Sequence, residues 1–288
     1  MRILIVGSDT SLGEALQDFL LSQGRHAIGA LALEECRWKS ERQVKKALRR
    51  AKCELVIDVR IVAAADSGAT IHDLDIDRTL WLARASHRNN VGFVCLSSSR
   101  VFSGTVQRPY SEDHYPDGEG ALSELLLGNE TAVRDNCERH IILRLGPVFS
   151  HQNSNALTQI LEEMLSGTPL SLGSALHGAP VFAADAARVI SALADQLSTD
   201  AALWGIYHYC SSEVTTCYEF AEAVLAAANQ YREFQPATLE LARGVEPDVS
   251  LNLELDCAKI RNTFAIKQVP WRGFIADSVK HYFLTVQG

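Results

Sequence analysis

Short apolar runs alternate with amphipathic stretches through the first half of the chain, and this alternation predicts strands and helices in turn. The predicted strands are Arg2–Val6, His26–Leu31, Glu54–Asp58, Phe93–Ser97 and His140–Leu145. The predicted helices between them are Ser11–Gln23, Glu41–Ala51, Leu74–Asn89 and Ala121–Asn136. Repeated strand–helix–strand units favour right-handed crossovers. We therefore expect an α/β fold, a Rossmann-like doubly wound parallel sheet with helices on both faces.

The second half of the chain is less regular. Its predicted helices are Ala156–Ser166, Ala184–Leu197, Tyr218–Ala227, Ala258–Phe264 and Gly273–Phe283. Its predicted strands are Gly205–Cys210 and Thr238–Ala242. No repeat or low-complexity linker separates the two halves. We expect residues 1–149 to form a nucleotide-binding domain and residues 150–288 to form a smaller, substrate-type lobe that is intercalated with the sheet.

The loop after the first strand carries the clearest functional pattern. Gly7 permits a sharp turn and Gly13 permits close packing of helix on strand, a layout typical of turns that hold a dinucleotide pyrophosphate at a helix N-terminus. Thr10 stands where a third glycine would let the backbone approach the phosphates. The candidate cofactor-binding residues are Gly7, Thr10, Ser11, Leu12 and Gly13, together with Ser97 and Ser98 at the end of the fourth strand.

Composition narrows the function classes. Of the 288 residues, 47% are hydrophobic and 22% charged, as in ordinary globular proteins. The net charge of −8 argues against a partner that is a nucleic acid or an anionic membrane. With no apolar run long enough to span a bilayer and no visible secretory signal, we expect a cytoplasmic protein. The seven cysteines lack C-x-x-C spacing and predict reduced core thiols, and the scattered histidines predict no metal site.

Further segments follow one another in a recognisable order. They are Leu96–Gly104 (LSSSRVFSG), Pro109–Asp113 (PYSED), Leu143–Phe149 (LRLGPVF) and Gly205–His208 (GIYH). Together with the Gly7–Gly13 loop, they make nearly the whole chain resemble the extended short-chain dehydrogenase/reductases, and most closely the dTDP-4-dehydrorhamnose reductase branch. The resemblance implies NADP(H) or NAD(H) in the first lobe and a nucleotide-sugar in the second.

The chain departs from that family at the catalytic positions. The family uses a tyrosine, and a lysine four residues later on the same helix, to donate a proton to the alkoxide formed by hydride transfer. Alignment of the helix places Leu122 and Leu126 at these positions, and no lysine occurs between Lys52 and Lys259. Ser98 would be the remaining member of the triad. We therefore predict no catalytic residue.

The expected cofactor pocket is altered as well. After the third strand the family has small residues, whereas this chain has Arg60 and Ile61, which would crowd the adenosine pocket if they point inward. After the second strand, Ala32 and Leu33 supply neither an acid for a ribose hydroxyl nor a cation for a 2′-phosphate. Binding of NADP or NAD is therefore expected to be weak or lost.

Three hypotheses follow. The favoured one is a non-catalytic regulator or accessory protein that binds a nucleotide, a nucleotide-sugar or a protein partner. The alternative is an NAD(P)H-dependent reductase or epimerase with an altered proton donor, Tyr115 or a water near Ser98. The third is a structural interaction protein whose adenosine site is filled by Arg60. The basic stripe on the predicted helix Glu41–Ala51 is either a solvated face or a docking face for an acidic partner.

Overall fold

A six-stranded parallel sheet forms the centre of the computed structural model, which describes residues 1–167, 169–199, 203–235, 238–242 and 251–287. The strand order is β2-β1-β3-β4-β5-β10. These strands are β1 (Arg2–Val6), β2 (Ala27–Leu31), β3 (Leu55–Asp58), β4 (Gly92–Ser98), β5 (His140–Leu145) and β10 (Gly205–Tyr209). The predicted α/β architecture with a parallel, doubly wound sheet is confirmed.

Ten helices are assigned in the described part of the chain. They are α1 (Ser11–Gln23), α2 (Glu41–Ala51), α3 (Arg60–Ser67), α4 (Asp73–Arg88), α5 (Ala121–Arg134), α6 (Ala156–Ser166), α7 (Ala183–Leu197), α8 (Cys217–Ala228), α9 (Ala258–Phe264) and α10 (Ile275–Gln287). None of the helices described is long and apolar enough to cross a bilayer.

Short strands build the rest of the molecule. They are β6 (Val148–Phe149), β7 (Leu170–Leu172), β8 (Leu176–Gly178), β9 (Val181–Phe182), β11 (Thr215–Thr216), β12 (Leu239–Leu241) and β13 (Leu251–Asn252). They pair in small sheets: β11-β8-β13, β12-β7 and β6-β9. Each of these strands has only two or three residues, too few to show an alternating pattern. Only β12 was predicted from the sequence.

Two further elements differ from the sequence-based expectation. Helix α3 starts immediately after β3, where no helix was predicted, because its apolar residues run together instead of recurring at helical spacing. A 3-10 turn, Trp271–Phe274, precedes α10, so that the last helix begins two residues later than predicted. Neither difference changes the sheet. The first does matter for the site, since α3 carries Arg60 at its first position.

Alternating side chains of the central strands pack against different helices. Ile3 and Ile5 contribute to a buried cluster with residues of α1 and α7. Leu4 and Val6 contribute to the cluster on the opposite face, with residues of α2 and α4. This is the period of two that a strand buried on both faces requires. A third cluster joins α6, α8 and α10 in the second half of the chain.

The second half also completes the central sheet. Strand β10 pairs in parallel with β5, with Ile141 opposite Gly205 and Leu145 opposite Tyr209. The sheet therefore does not end with residue 149. The division of the chain at residues 149 and 150 stays a prediction.

Candidate functional site

The turn between β1 and α1 lies at the carboxyl end of the sheet, where β1 is flanked by β2 and β3 and the strand order reverses. Ligands of doubly wound sheets bind at such a switch point. Gly7 adopts a φ of 89°. A Cβ on Gly13 would lie 2.2 Å from the Gly7 carbonyl oxygen, so this close approach of helix and strand requires glycine.

Thr10 caps helix α1 instead of opening the loop. Its Oγ1 donates to the Gly7 carbonyl oxygen at 2.8 Å and accepts from the Gly13 N–H at 3.1 Å. A side-chain oxygen that accepts from an early N–H of the helix is a standard N-cap. The threonine therefore preserves the turn while its own side chain occupies a donor that a phosphate would use. Contact of the Gly7–Gly13 residues with a cofactor stays a prediction.

Arg60 fills the space beside this turn. Its side chain is only 6% exposed. Its Nε and Nη2 donate to the two carboxylate oxygens of Asp58 at 2.9 and 2.6 Å, and Nη2 also donates to Thr79 Oγ1 at 3.1 Å. The guanidinium lies 5.9 Å from the ring centroid of the buried Trp38. A Cβ on Gly7 would come within 3.0 Å of Arg60 Cγ, which shows how closely the arginine packs on the turn.

Asp58 compensates for the burial of the positive charge of Arg60. Burial opposes the charge on Arg60, but the Asp58 carboxylate outweighs this penalty, and the pKa of the guanidinium is raised. Bidentate arginine–carboxylate pairs are among the strongest side-chain hydrogen bonds. The carboxyl ends of β1 and β3, where the adenosine half of a dinucleotide would lie, are therefore occupied by the protein's own charged side chains.

In the loop after β2, as at the ends of β1 and β3, groups that could contact a ligand are bonded to the protein's own side chains. The Leu33 N–H donates to Asp9 Oδ1 at 2.7 Å, and the Ala32 N–H donates to Glu35 Oε2 at 2.9 Å. Carboxylates of the protein thus hold the backbone donors that follow the second strand. As the sequence indicates, neither Ala32 nor Leu33 carries a side chain that recognises a ribose.

One cavity at the switch point has a volume of about 260 Å³ and is here called the crevice cavity. Its lining includes Thr10, Leu33, Arg60, Asp66 and Asn155. Small-molecule sites usually measure about 300–1,000 Å³. The crevice cavity is below that range, so it is too small for a whole dinucleotide.

Asp66 is the unusual group of the crevice cavity. Its Oδ2 accepts a hydrogen bond from the Val148 N–H at 3.3 Å, while its solvent-shielded Oδ1 has no partner in the described part of the chain. Burial raises the pKa of Asp66 to about 7, although the nearby charge of Arg100 acts in the opposite direction. The protonated form of Asp66 therefore persists to a higher pH than that of an ordinary carboxyl group.

The two serines at the end of β4 are both buried. Ser97 donates to Glu130 Oε1 at 2.6 Å, and Glu130 also receives two hydrogen bonds from Arg144 at 2.8 and 2.7 Å. Ser98 Oγ accepts from the backbone N–H of Arg100 at 3.3 Å. Both hydroxyl groups serve the protein's own structure in these contacts, and their role in cofactor binding stays a prediction.

A buried histidine, not singled out from the sequence, extends this network. His208 Nδ1 donates to the Tyr110 carbonyl oxygen at 2.9 Å, so its Nε2 is left to accept from Arg144 Nη1 at 3.3 Å. Burial, reinforced by the charge of Arg144, lowers the pKa of His208 to about 3. The imidazole is therefore neutral and anchors the Tyr110 loop to β10. No local sequence signal marks it, because its partners come from other elements.

The helix expected to carry the proton donor has an apolar face at those positions. Leu126 of α5 is fully buried, and Leu122 is partly buried against the same core. Lys259, the first lysine after Lys52, donates to the Ile206 carbonyl oxygen. Within the described part of the chain, no tyrosine–lysine pair lies on this helix.

The loop tyrosines are also unsuited to proton transfer in this conformation. The hydroxyl of Tyr110 accepts from the N–H groups of Gly104 and Val106 at 3.0 and 3.2 Å, and the residue is 1% exposed. Tyr115 is 86% exposed. The first is held in the core and the second faces solvent.

A second cavity, here called the lobe cavity, lies beyond the end of β4. It has a volume of about 430 Å³, within the range of small-molecule sites. Its apolar lining includes Phe149, Ile160, Leu172 and Phe220. Its polar lining includes Arg100, Glu163, His177 and Cys217. This cavity could not be predicted from a local motif, since its residues come from segments far apart in the chain.

The fold and the glycine-bounded turn at its switch point define a Rossmann-type protein of the short-chain dehydrogenase/reductase superfamily. The family described as the RmlD substrate binding domain matches residues 1–284. The chain belongs to this family, which confirms the resemblance drawn from its motifs.

Relatives with two different names are similar to the chain over most of its length. The dTDP-4-dehydrorhamnose reductase of Aggregatibacter actinomycetemcomitans is 23% identical over 281 residues, covering 94% of this chain and 96% of that protein. Methionine adenosyltransferase 2 subunit beta of Pongo abelii is 25% identical over 295 residues, covering 96% and 87%.

A solved structure shares the fold. The dTDP-4-dehydrorhamnose reductase from Bacillus anthracis str. Ames, crystallised in complex with NADP, superposes with a TM-score of 0.78 at 18% sequence identity. The superposition covers 99% of this chain and 98% of that chain. At this identity the likeness establishes a common architecture.

Proposed function

We propose that this dTDP-4-dehydrorhamnose-reductase-like protein has no reductase activity and acts as an accessory or regulatory protein that binds a nucleotide or nucleotide-sugar. The observation that carries the proposal is on α5. Leu122 and Leu126 stand at the positions of the proton donor and its lysine, and both pack into the core. Loss of one general acid typically lowers the rate by about 10²–10⁴-fold.

The cofactor site fits a dinucleotide only in part. The Gly7–Gly13 turn and the N-terminus of α1 suit a pyrophosphate. The adenosine half does not fit, because the Arg60–Asp58 pair and Trp38 occupy it. Binding of NADP or NAD is therefore proposed to be weak or lost, and no reaction step is assigned to the cofactor.

Names of relatives support an accessory role. One group of similar proteins is named as a subunit of methionine adenosyltransferase, so proteins of this architecture include components of larger assemblies. We infer that this chain acts in the cytoplasm, with a protein partner or a small nucleotide ligand. The lobe cavity, at about 430 Å³, is the more spacious of the two sites for such a ligand.

Activity and binding have to be measured together to test the proposal. We expect no measurable oxidation of NADPH or NADH with 4-keto sugar nucleotides, a calorimetric Kd for NADPH weaker than millimolar, and detectable binding of dTDP. Turnover near one per second would support the alternative, an NAD(P)H-dependent reductase or epimerase with an altered proton donor. In that case Tyr115→Phe would abolish turnover if the exposed tyrosine supplied the proton.

A further inference from the structure

Strand β2 lies at one end of the central sheet, and among the described residues no further strand pairs with its outer edge. The Ala27 N–H donates to the Met1 carbonyl oxygen, which precedes β1. Successive residues of a strand direct their backbone groups to opposite sides. Ile28 and Ala30 therefore direct their N–H and C=O groups away from β1, toward the outer edge.

This edge lacks the usual protection against pairing with another chain. Edge strands are commonly protected by charged residues, by proline or by a covering segment. The five residues of β2, AIGAL, include neither a charge nor a proline, and Ala27 and Ala30 are exposed. The backbone groups at the outer edge of β2 are therefore available to an added strand.

A groove of about 620 Å³, here called the edge groove, lies between β2 and α2. Its apolar lining includes Leu4, Gly29, Ala47 and Ala51. Lys46 and Arg50 of α2 also line the edge groove and are exposed. Within the ranges that the structure describes, no carboxylate lies within ion-pair distance of either side chain. The edge groove thus joins an apolar surface to two cations without acidic partners.

The acidic residues of the edge groove are bonded to neighbouring groups of the protein. Glu34 forms an ion pair with Arg37 at 3.1 Å, and Glu35 Oε2 accepts from the Ala32 N–H at 2.9 Å. The two cations of α2 are therefore the charges that the edge groove offers to a partner.

We propose that β2 and the edge groove bind an extended, acidic segment of a partner protein, which adds to the central sheet as a further strand. Backbone hydrogen bonds to Ile28 and Ala30 supply affinity, as in other cases of strand addition. Lys46 and Arg50 select a segment that carries carboxylates. The edge groove shares no lining residue with the crevice cavity or the lobe cavity, so the inference goes beyond the proposed function and does not depend on it.

A second copy of this chain suits the edge less well than an acidic segment does. Antiparallel pairing of two β2 strands about a two-fold axis would place the two α2 helices side by side on one face of the joined sheet. Lys46 and Arg50 of one copy would then approach the same cations of the other, and like charges repel. An acidic segment meets these cations with attraction.

The experiment measures binding of a fluorescein-labelled peptide, Glu-Val-Glu-Val-Glu-Val-Glu with both ends blocked, by fluorescence anisotropy at about 0.15 M salt. The reference peptide has lysine in place of glutamate. We expect the glutamate peptide to bind about tenfold more tightly than the lysine peptide, because only the former complements the edge groove. Higher salt should weaken binding of the glutamate peptide.

Charge reversal in the edge groove tests the role of α2. Lys46→Glu with Arg50→Glu should weaken binding of the glutamate peptide by about tenfold, since two attractive pairs become repulsive. The same variant should bind the lysine peptide more tightly than the wild type does. Arg42→Glu with Arg49→Glu is the matched control, because it makes an equal change in charge at exposed positions of α2 outside the edge groove. The control should bind the glutamate peptide like the wild type.

Amide hydrogen exchange, resolved by NMR, tests whether the peptide pairs with β2. The glutamate peptide should slow exchange at Ile28 and Ala30, whereas exchange at Gly29 and Leu31, whose N–H groups face β1, should change little. Ala30→Pro removes an outward donor that β1 does not use, and proline is tolerated at such positions of edge strands. This variant should weaken peptide binding by about fivefold.

The inference is supported if the glutamate peptide binds, protects Ile28 and Ala30, and loses affinity only in the groove variant. Equal loss in the groove variant and in its control would mean general charge attraction and would overturn it. Binding without protection of these amides would place the peptide on α2 alone, and a dimer that protects them without peptide would make a second copy the occupant. Each of these outcomes, like absence of binding, overturns the inference and leaves the NADPH and dTDP titrations to decide the proposed function.

Discussion

The crevice cavity and the lobe cavity lie near the carboxyl end of the same sheet, and they differ in how their charges are used. In the crevice, Arg60 is paired with Asp58 and is almost fully buried. In the lobe, Arg100 keeps most of its donors free beside an open, largely apolar space. A cation whose donors are spent within the protein contributes to the fold, whereas one with free donors can contribute to binding. The contrast is consistent with the proposal that the charges of the crevice serve the fold and that the lobe is the more suitable place for a ligand.

The largest expected effect tests whether the Arg60–Asp58 pair is structural. Asp58→Ala leaves a buried guanidinium without its carboxylate, and breaking a buried ion pair in this way costs about 3–5 kcal/mol. The free energy of unfolding, measured by urea denaturation, should fall by that amount. The double variant Asp58→Ala with Arg60→Met removes both charges and should recover much of the loss. Equal stability of Asp58→Ala and the wild type would mean that the crevice is not held by this pair.

A smaller effect concerns Asp66 and pH. With the pKa of Asp66 raised to about 7 in the folded protein, the native state retains a proton that the unfolded chain, with an ordinary carboxyl pKa near 3.9, gives up. The contribution of this group to stability is therefore fully present below about pH 4 and is lost as the pH rises to about 7. At about 1.4 kcal/mol per pKa unit, the loss is up to roughly 4 kcal/mol.

Asp66→Asn isolates this contribution. The variant cannot ionise, so the difference between its free energy of unfolding and that of the wild type should change between pH 4 and pH 7 and level off above. Other charged groups line the two cavities (Asp9 and Arg60 in the crevice, Arg100, Glu163 and His177 in the lobe) and are common to both proteins. A difference that does not vary with pH would show that Asp66 titrates normally.

The smallest expected effect is on NADPH affinity when Arg60 is removed from the crevice. The double variant Asp58→Asn with Arg60→Ala removes the side chain that packs on Gly7 without leaving a buried charge. NADPH affinity should rise by up to about tenfold, which corresponds to about 1.4 kcal/mol, while dTDP affinity stays unchanged. Titration calorimetry of both ligands checks this. A parallel rise in dTDP affinity would contradict the separation between the two cavities.

The helices and strands around the crevice could be predicted from local sequence patterns. The bounds of β1, α1, α2 and β5 agree with the sequence-based prediction at both ends. The two strands are short apolar runs, and the two helices have apolar residues at helical spacing. The turn from Gly7 to Gly13 was predicted as well. Its chemistry is local, with Thr10, Gly7 and Gly13 bonded within one loop.

Long-range contacts escaped prediction. The sequence places Arg60 near the crevice but does not show that Thr79 and Trp38 complete its surroundings, since these residues meet only after α4 and the β2 loop have packed. The lobe cavity depends on segments from Arg100 to Leu253. Helix α3 was missed because eight residues with a continuous apolar run carry no helical period.

The parallel pairing of β10 with β5 constrains the order in which the chain can fold. Ile141 pairs with Gly205, so the edge of β5 has no partner until the chain has been synthesised past Tyr209. An unpaired edge of a parallel sheet invites association with other strands, and its late closure slows folding. His208 forms its hydrogen bonds with Arg144 and with the Tyr110 carbonyl oxygen only when β10 arrives. Nascent chains that end before β10 therefore expose the edge of β5 and lack His208, which contacts Arg144 of the Arg144–Glu130 ion pair. They are the species most in need of chaperone protection.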